Sequence, residues 1–156
     1  MKLNFTRALL LFLAAYVIVT ILATAISEGY GAISNLPEAV PGISPVKAPV
    51  FLATVPYHVL VMLIVWPLFA GIYFKKARKR NNDEEKSETR NLAFTWLALA
   101  IIVDCVGFVL IKHPYSLSAH AFYVDYQPWI SLIYLAIFLS PWIRLTFSKW
   151  VTKSHL

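Results

Sequence analysis

The chain has 156 residues, 59% of them hydrophobic and only 14% charged, with a formal net charge of +6. That balance excludes an ordinary soluble domain, where about a quarter of the residues are charged. In a soluble chain the positive charge would point to nucleic acid. Here the basic residues border long apolar blocks, so the lipid bilayer is the expected surround and no nucleic-acid partner is expected.

Crossing the ~30 Å hydrocarbon core takes about 20 apolar residues. Four blocks approach or exceed that length, at 5–26, 50–74, 92–111 and 129–147. The predicted fold is therefore all-α: a single membrane domain with four transmembrane helices at about 5–27, 50–74, 91–112 and 128–147. Outer loops at 28–49 and 113–127 and a basic cytoplasmic loop at 75–90 connect them. Twelve of the fourteen Lys and Arg residues fall at or before the start of the first block, between the second and third, or at or beyond the end of the fourth; only Lys47 and Lys112 lie on the other side. The positive-inside rule then predicts both termini in the cytoplasm and a location in the plasma (inner) membrane.

In chain order, the first block begins with a short basic start and ends in Ala23-Thr24-Ala25, like a signal peptide. Its apolar run is longer than a signal core, which favours an uncleaved helix. The row Ala15, Val19, Ala23, Ser27 puts small residues four apart, a spacing that lets another helix approach closely. The prolines and glycines of 28–49 predict a loop lying against the membrane surface. Pro56 and Pro67 predict kinks in the second helix. Residues 75–90 read as a solvated charged linker, its basic residues near the bilayer and Asp83, Glu84, Glu85 and Glu88 farther out. The third block carries Asp104, the one carboxylate well inside an apolar segment. At that depth a carboxylate costs several kcal/mol unless it is paired, hydrated or protonated. Tyr115, Phe122, Tyr123, Tyr126 and Trp129 then form an interfacial aromatic belt holding His113, His120 and Asp125. The fourth helix is expected to run to Pro141, with Arg144 carrying its charge to the cytoplasmic face.

At 1.5 Å per residue, Asp104 and His58 lie ~10 Å below the outer helix ends, Thr20 ~9 Å and Tyr134 ~8 Å. Each helix thus brings one polar side chain to a common layer, and such groups can meet inside a four-helix bundle. Asp104 is expected to face His58 there, hydrogen-bonded to His58 or Tyr134. His113, His120 and Asp125 are candidates on the outer loop.

These residues narrow the chemistry. No pair of histidines one turn apart suggests a metal, and only His58 lies inside a span, so neither metal nor haem nor other cofactor is expected. The single cysteine, Cys105, excludes dithiol exchange. Serines lack a nucleophile-elbow context. Four spans, cytoplasmic termini and a late aspartate pair, Asp104 and Asp125, resemble lipoprotein signal peptidase in outline, which would imply proteolysis by two carboxylates sharing a proton. The Asn-rich and Gly-rich motifs of that family are missing. Asp104 is followed by Cys105-Val106-Gly107, and Asp125 by Tyr126-Gln127-Pro128.

Three readings follow. In the first the protein binds, passes or senses a small solute, a proton or a lipid from the outer side, as an accessory or immunity-like subunit in one form. In the second it is an intramembrane hydrolase or transferase acting on a lipid-linked substrate through Asp104. In the third it is a structural partner without a site of its own. Four spans are few for a solute path, so transport would call for a homodimer or a larger membrane complex.

Overall fold

A computed structural model describes residues 3–36, 44–75, 81–112 and 116–153. The described residues are helical with short connections and contain no strand. Helix α1 spans Phe5–Ser34, α2 Pro49–Lys75, α3 Asn82–Asp104 and α4 Trp129–Lys153. A 3-10 turn at Pro45–Lys47 precedes α2. Past Asp104, α3 loosens into a π-helical turn at Cys105–Leu110, and a second π-helical turn, Ala121–Asp125, leads towards α4. Four helices are long and apolar enough to cross a membrane, and only 17–39% of the apolar window of each is buried within the bundle. Leu10, Ile21, Ile64, Leu68, Phe94 and Leu135 point outward, as lipid-facing side chains do.

The helices run alternately up and down. Helix α2 packs against α1 and α4, α3 packs against α4, and α1 meets α3 more sparingly. Two bonds cross that sparse seam. The indole N–H of Trp96 donates to the Ala8 carbonyl at 3.0 Å, and the Tyr16 hydroxyl donates to Asp104 at 2.5 Å. Both join residues 88 apart, so α1 and α3 run in the same direction. The middle of the bundle is aromatic: Trp66 lies 5.4 Å from Phe12 and 5.3 Å from Trp96, ring centre to ring centre. Such pairs add about 0.5–1.5 kcal/mol beyond the area they bury. Ala8, Phe12, Ala15 and Val19 form the buried stripe of α1, so the row Ala15, Val19, Ala23, Ser27 does face the bundle.

Several boundaries differ from expectation, each for a physical reason. Helix α1 continues through Gly29 and Gly31 to Ser34 and stops where Asn35 turns left-handed at φ 54°. A mid-helix glycine costs only about 1 kcal/mol, less than exposing an unpaired peptide group beside lipid. Thirty residues rise ~45 Å, so α1 outruns the bilayer core unless it tilts. Helix α4 passes straight through Pro141. Proline deprives the carbonyl four residues back of its donor, and the Ser140 hydroxyl supplies one, bonding the Ile137 carbonyl at 2.7 Å.

The largest correction concerns 75–90. Residues 76–80 lie outside the described residues, but from Asn82 onward this linker is the first two turns of α3. Asn81 caps it: the Glu84 N–H donates to the Asn81 side chain at 2.8 Å, and the Glu84 carboxylate accepts from the Asn81 N–H at 3.4 Å. Asp83, Glu84 and Glu85 occupy the first turn, where the helix dipole favours negative charge. Glu88 is only 3% exposed and accepts from the Tyr73 hydroxyl at 2.8 Å, while Tyr73 accepts from the Asn4 N–H at 3.1 Å. Arg144 does not reach out alone. It pairs with Glu85 at 2.7 Å and lies 4.5 Å over the Phe74 ring. The acids thus tie α3 to α2 and α4 at the end of the bundle where α1 begins, here termed the terminal end.

Removing the cap should therefore weaken the whole bundle. Asn81→Ala is expected to lower stability by about 1 kcal/mol in reversible SDS unfolding. An unchanged midpoint would show that the first turn of α3 contributes nothing to the fold.

Candidate functional site

Asp104 is the last residue of regular α3, placed where the backbone loosens into the π-helical turn. Such irregular turns recur at functional sites because they reset which side chains face inward. The carboxylate is buried, 6% exposed, and its Oδ1 accepts the 2.5 Å bond from Tyr16 on α1. Tyr134 on α4 turns its hydroxyl towards the same carboxylate and towards Tyr123. Neither contact closes a hydrogen bond of good geometry, leaving that buried hydroxyl without a partner among the described residues. Tyr126, just before α4, is also buried within electrostatic reach of Asp104. Burial first, and then the Asp104 charge, push the Tyr126 phenol above its ordinary range. Three elements besides α3 thus surround one carboxylate with phenols.

His58 is buried too, at 5% exposed, but its partners lie elsewhere. Its Nε2 is 3.1 Å from the Ser27 hydroxyl on α1, which is 3.0 Å from the Thr54 hydroxyl on α2. Thr54 in turn donates to backbone carbonyls one turn back, Val50 at 2.9 Å or Phe51 at 3.2 Å. No hydrogen bond joins His58 to Asp104 among the described residues. Between the two polar groups stand two rings. Phe51 lies 5.9 Å from the His58 ring and 5.2 Å from Tyr126, both edge-on. The expected single layer is therefore two clusters flanking an aromatic pair.

Of the expected layer, Asp104 and Tyr134 are brought together; His58 and Thr20 are not added to them. Thr20 is exposed, with its hydroxyl already bonded to the Tyr16 carbonyl at 2.9 Å. The depth expected for Thr20 assumes a helix end at 26–27, whereas α1 runs to Ser34, and the side chain that meets Asp104 is Tyr16, one turn earlier. Tyr16, Ser27 and Thr54 are the members missed from sequence. The available signal was chemical: a phenol midway along an apolar helix has to find a partner.

On the loop side, His113 lies outside the described residues. Asp125 joins the 3-10 turn to the second π-helical turn: Lys47 Nζ stands 2.8 Å from its Oδ1 and His120 Nδ1 3.6 Å from its Oδ2. The Lys47 bond, with the Lys47 and His120 charges, holds the Asp125 carboxyl below the ordinary aspartate range. Beneath this latch Phe122 and Tyr126 enter the core, and Val46 is buried from the 3-10 turn. Asp104 and Asp125 make different contacts and share no proton, so the geometry lacks the carboxylate pair of an aspartyl protease. No group of three or more His, Cys, Asp or Glu side chains is placed to hold a metal among the described residues.

No family model, curated protein or solved structure matches this chain. Its chemistry rests on the geometry alone.

That geometry separates two tyrosines that the sequence treats alike. Tyr16→Phe removes a closed bond, and polar bonds of this kind in membrane bundles are worth about 0.6–1.7 kcal/mol. Tyr134→Phe removes a hydroxyl that has none, and should be neutral or slightly stabilising. Equal losses in SDS unfolding would contradict this assignment.

The latch has its own signature. A depressed carboxyl contributes stability above the ordinary aspartate value of about 4 and loses it as pH falls through the still lower folded value. Spin labels at the exposed Pro45 and Val124 should hold one distance at neutral pH and separate only below about pH 4. Asp125→Asn should abolish the step. A step that persists in Asp125→Asn would contradict the latch.

Proposed function

We propose that this protein is a small membrane receptor or carrier subunit that takes up a proton or a small solute at Asp104 from the outer side. The observation that carries this reading is a buried carboxylate held by phenols, with no hydrogen bond or ion pair to a cationic side chain among the described residues. Leaving a carboxylate in that condition is expensive, and the cost falls when a proton or a positively charged group arrives. The distribution of basic residues supports cytoplasmic termini in a plasma (inner) membrane, which puts the Lys47–Asp125 latch on the outer face. On this reading the latch and the two π-helical turns form the cover of the site. Four helices enclose too little for a continuous path, so the working unit is a homodimer or a larger complex, within which the chain can serve as an accessory or immunity-like subunit.

The hydrolase or transferase reading has less support. It requires Asp104 to act beside a second acid, a base or a nucleophile, and its observed neighbours are phenols. The purely structural reading explains the Tyr16 bond but gives no role to a buried carboxylate without a cationic partner among the described residues.

Infrared difference spectroscopy of the full chain in lipid tests the proposal. A protonated-carboxyl band should be present in wild type, absent in Asp104→Asn, and responsive to the pH and deuterium content of the outer solution. Identical spectra for the two proteins at every pH would show that Asp104 exchanges no proton and would overturn the reading.

A further inference from the structure

Resting on that reading of Asp104, we infer that the solute class is a lipophilic organic cation, reaching the carboxylate through the seam between α1 and α3. Three independent features converge on it. The first is charge: the carboxylate has a phenol donor but no fixed cation bonded to it among the described residues. The second is the wall. Tyr16 bonds the carboxylate, and Tyr123, Tyr126 and Tyr134 lie within electrostatic reach of it. Aromatic rings attract a desolvated cation. The buried Tyr134 oxygen is an unused acceptor for an N–H. A proton would use none of this, and a strongly hydrated metal ion would need several oxygen ligands that phenols do not replace.

The third feature is the route. Around the bundle, α1 and α3 make the sparsest of the helix contacts, and the Tyr16–Asp104 bond itself spans their seam. Val17 and Ile21, within two turns of Tyr16 on α1, and Ile101 and Ile102, within a turn of Asp104 on α3, are exposed and present only hydrocarbon. A cation whose charge is wrapped in apolar groups can dissolve in such surroundings, whereas a small hydrophilic ion cannot. On binding, the ligand charge replaces the Tyr16 hydroxyl as the partner of Asp104, and α1 is released from α3 at that level.

Equilibrium binding to the full chain in nanodiscs, with empty nanodiscs as baseline, tests the inference. The probes are tetraphenylphosphonium and tetraphenylborate, which share a shape and differ in the sign of charge. Saturable binding of the phosphonium alone is expected, weakened by acid as protons compete for Asp104. Affinity should fall roughly tenfold or more in Asp104→Asn, as the loss of about 1.4 kcal/mol implies. Asp104→Glu should retain binding, and Tyr126→Phe should retain more of it than Tyr126→Leu. Equal binding of both probes, or phosphonium binding unchanged in Asp104→Asn, would overturn the inference. If the Asp104 carboxyl band exchanges its proton while the phosphonium does not bind, the ligand class is wrong and the proton reading stands. If neither is seen, both fall.

Discussion

In hydrocarbon no polar group can be left to solvent, and nearly every feature of this bundle answers to that constraint. The Ile137 carbonyl freed by Pro141 is taken by Ser140. The Trp96 indole finds the Ala8 carbonyl across a helix interface. At the terminal end, Asn4, Tyr73 and Glu88 form a chain in which each group satisfies the next. The same constraint carries α1 through two glycines, because an open turn would expose peptide groups at a greater cost. Apolar packing alone discriminates poorly in such a bundle, since lipid is as apolar as leucine. Directional bonds of this kind fix the register.

Against that background the Asp104 neighbourhood is set apart by a buried carboxylate with a single closed side-chain bond. Elsewhere many polar side chains match donor to acceptor, and the Ser27–Thr54–His58 group is such a lock between α1 and α2, although Ser44, the Trp66 indole and Thr89 also bury a polar atom without a partner among the described residues. Around Asp104 the matching stops short. One phenol bonds the carboxylate and another, Tyr134, is turned to it without closing a bond. A structural tie would need only one good partner. An excess of phenols around a single carboxylate suits a group whose partner changes, and the aromatic pair Phe51 and Tyr126 keeps His58 from supplying a permanent one.

Much of the architecture was legible because length and apolarity are coarse signals that lipid enforces. Four apolar blocks gave four helices, and Asp104 stood out as the residue needing an account. The helix ends were less legible, because they are decided by single side chains. Asn81 and Glu84 do form a capping-box pattern in the sequence, yet the surrounding charges read equally well as a solvated linker. Only the burial of Glu88 and the Glu85–Arg144 pair distinguish the two. The layer of polar residues inherited those errors. A seven-residue extension of α1 moves every depth counted from its end: seven residues in from Ser34 is Ser27, the partner of His58, whereas Tyr16 reaches Asp104 from much deeper along the helix. Pairings between helices, such as His58 with Ser27, depend on rotation about each helix axis, which depth cannot supply.

The stiffness of the bundle is unevenly distributed, and the distribution favours motion at the site. The aromatic middle, where Phe12, Trp66 and Trp96 interlock, is tied by many contacts that must break together. The terminal end adds a buried glutamate and a half-buried ion pair. Towards the latch end the ties thin out. The Lys47–Asp125 pair is solvated and screened, so it directs the 3-10 turn without holding it firmly. The Tyr16–Asp104 bond is worth no more than ~1.7 kcal/mol on the scale of membrane hydrogen bonds. Opening α1 from α3 at that level breaks this one bond and strips the carboxylate of it, a cost that an incoming cation offsets, while Trp96 and Ala8 hold the seam one step further down. A firmly packed aromatic middle and a thinly tied seam beside the carboxylate are the distribution that the proposed opening requires.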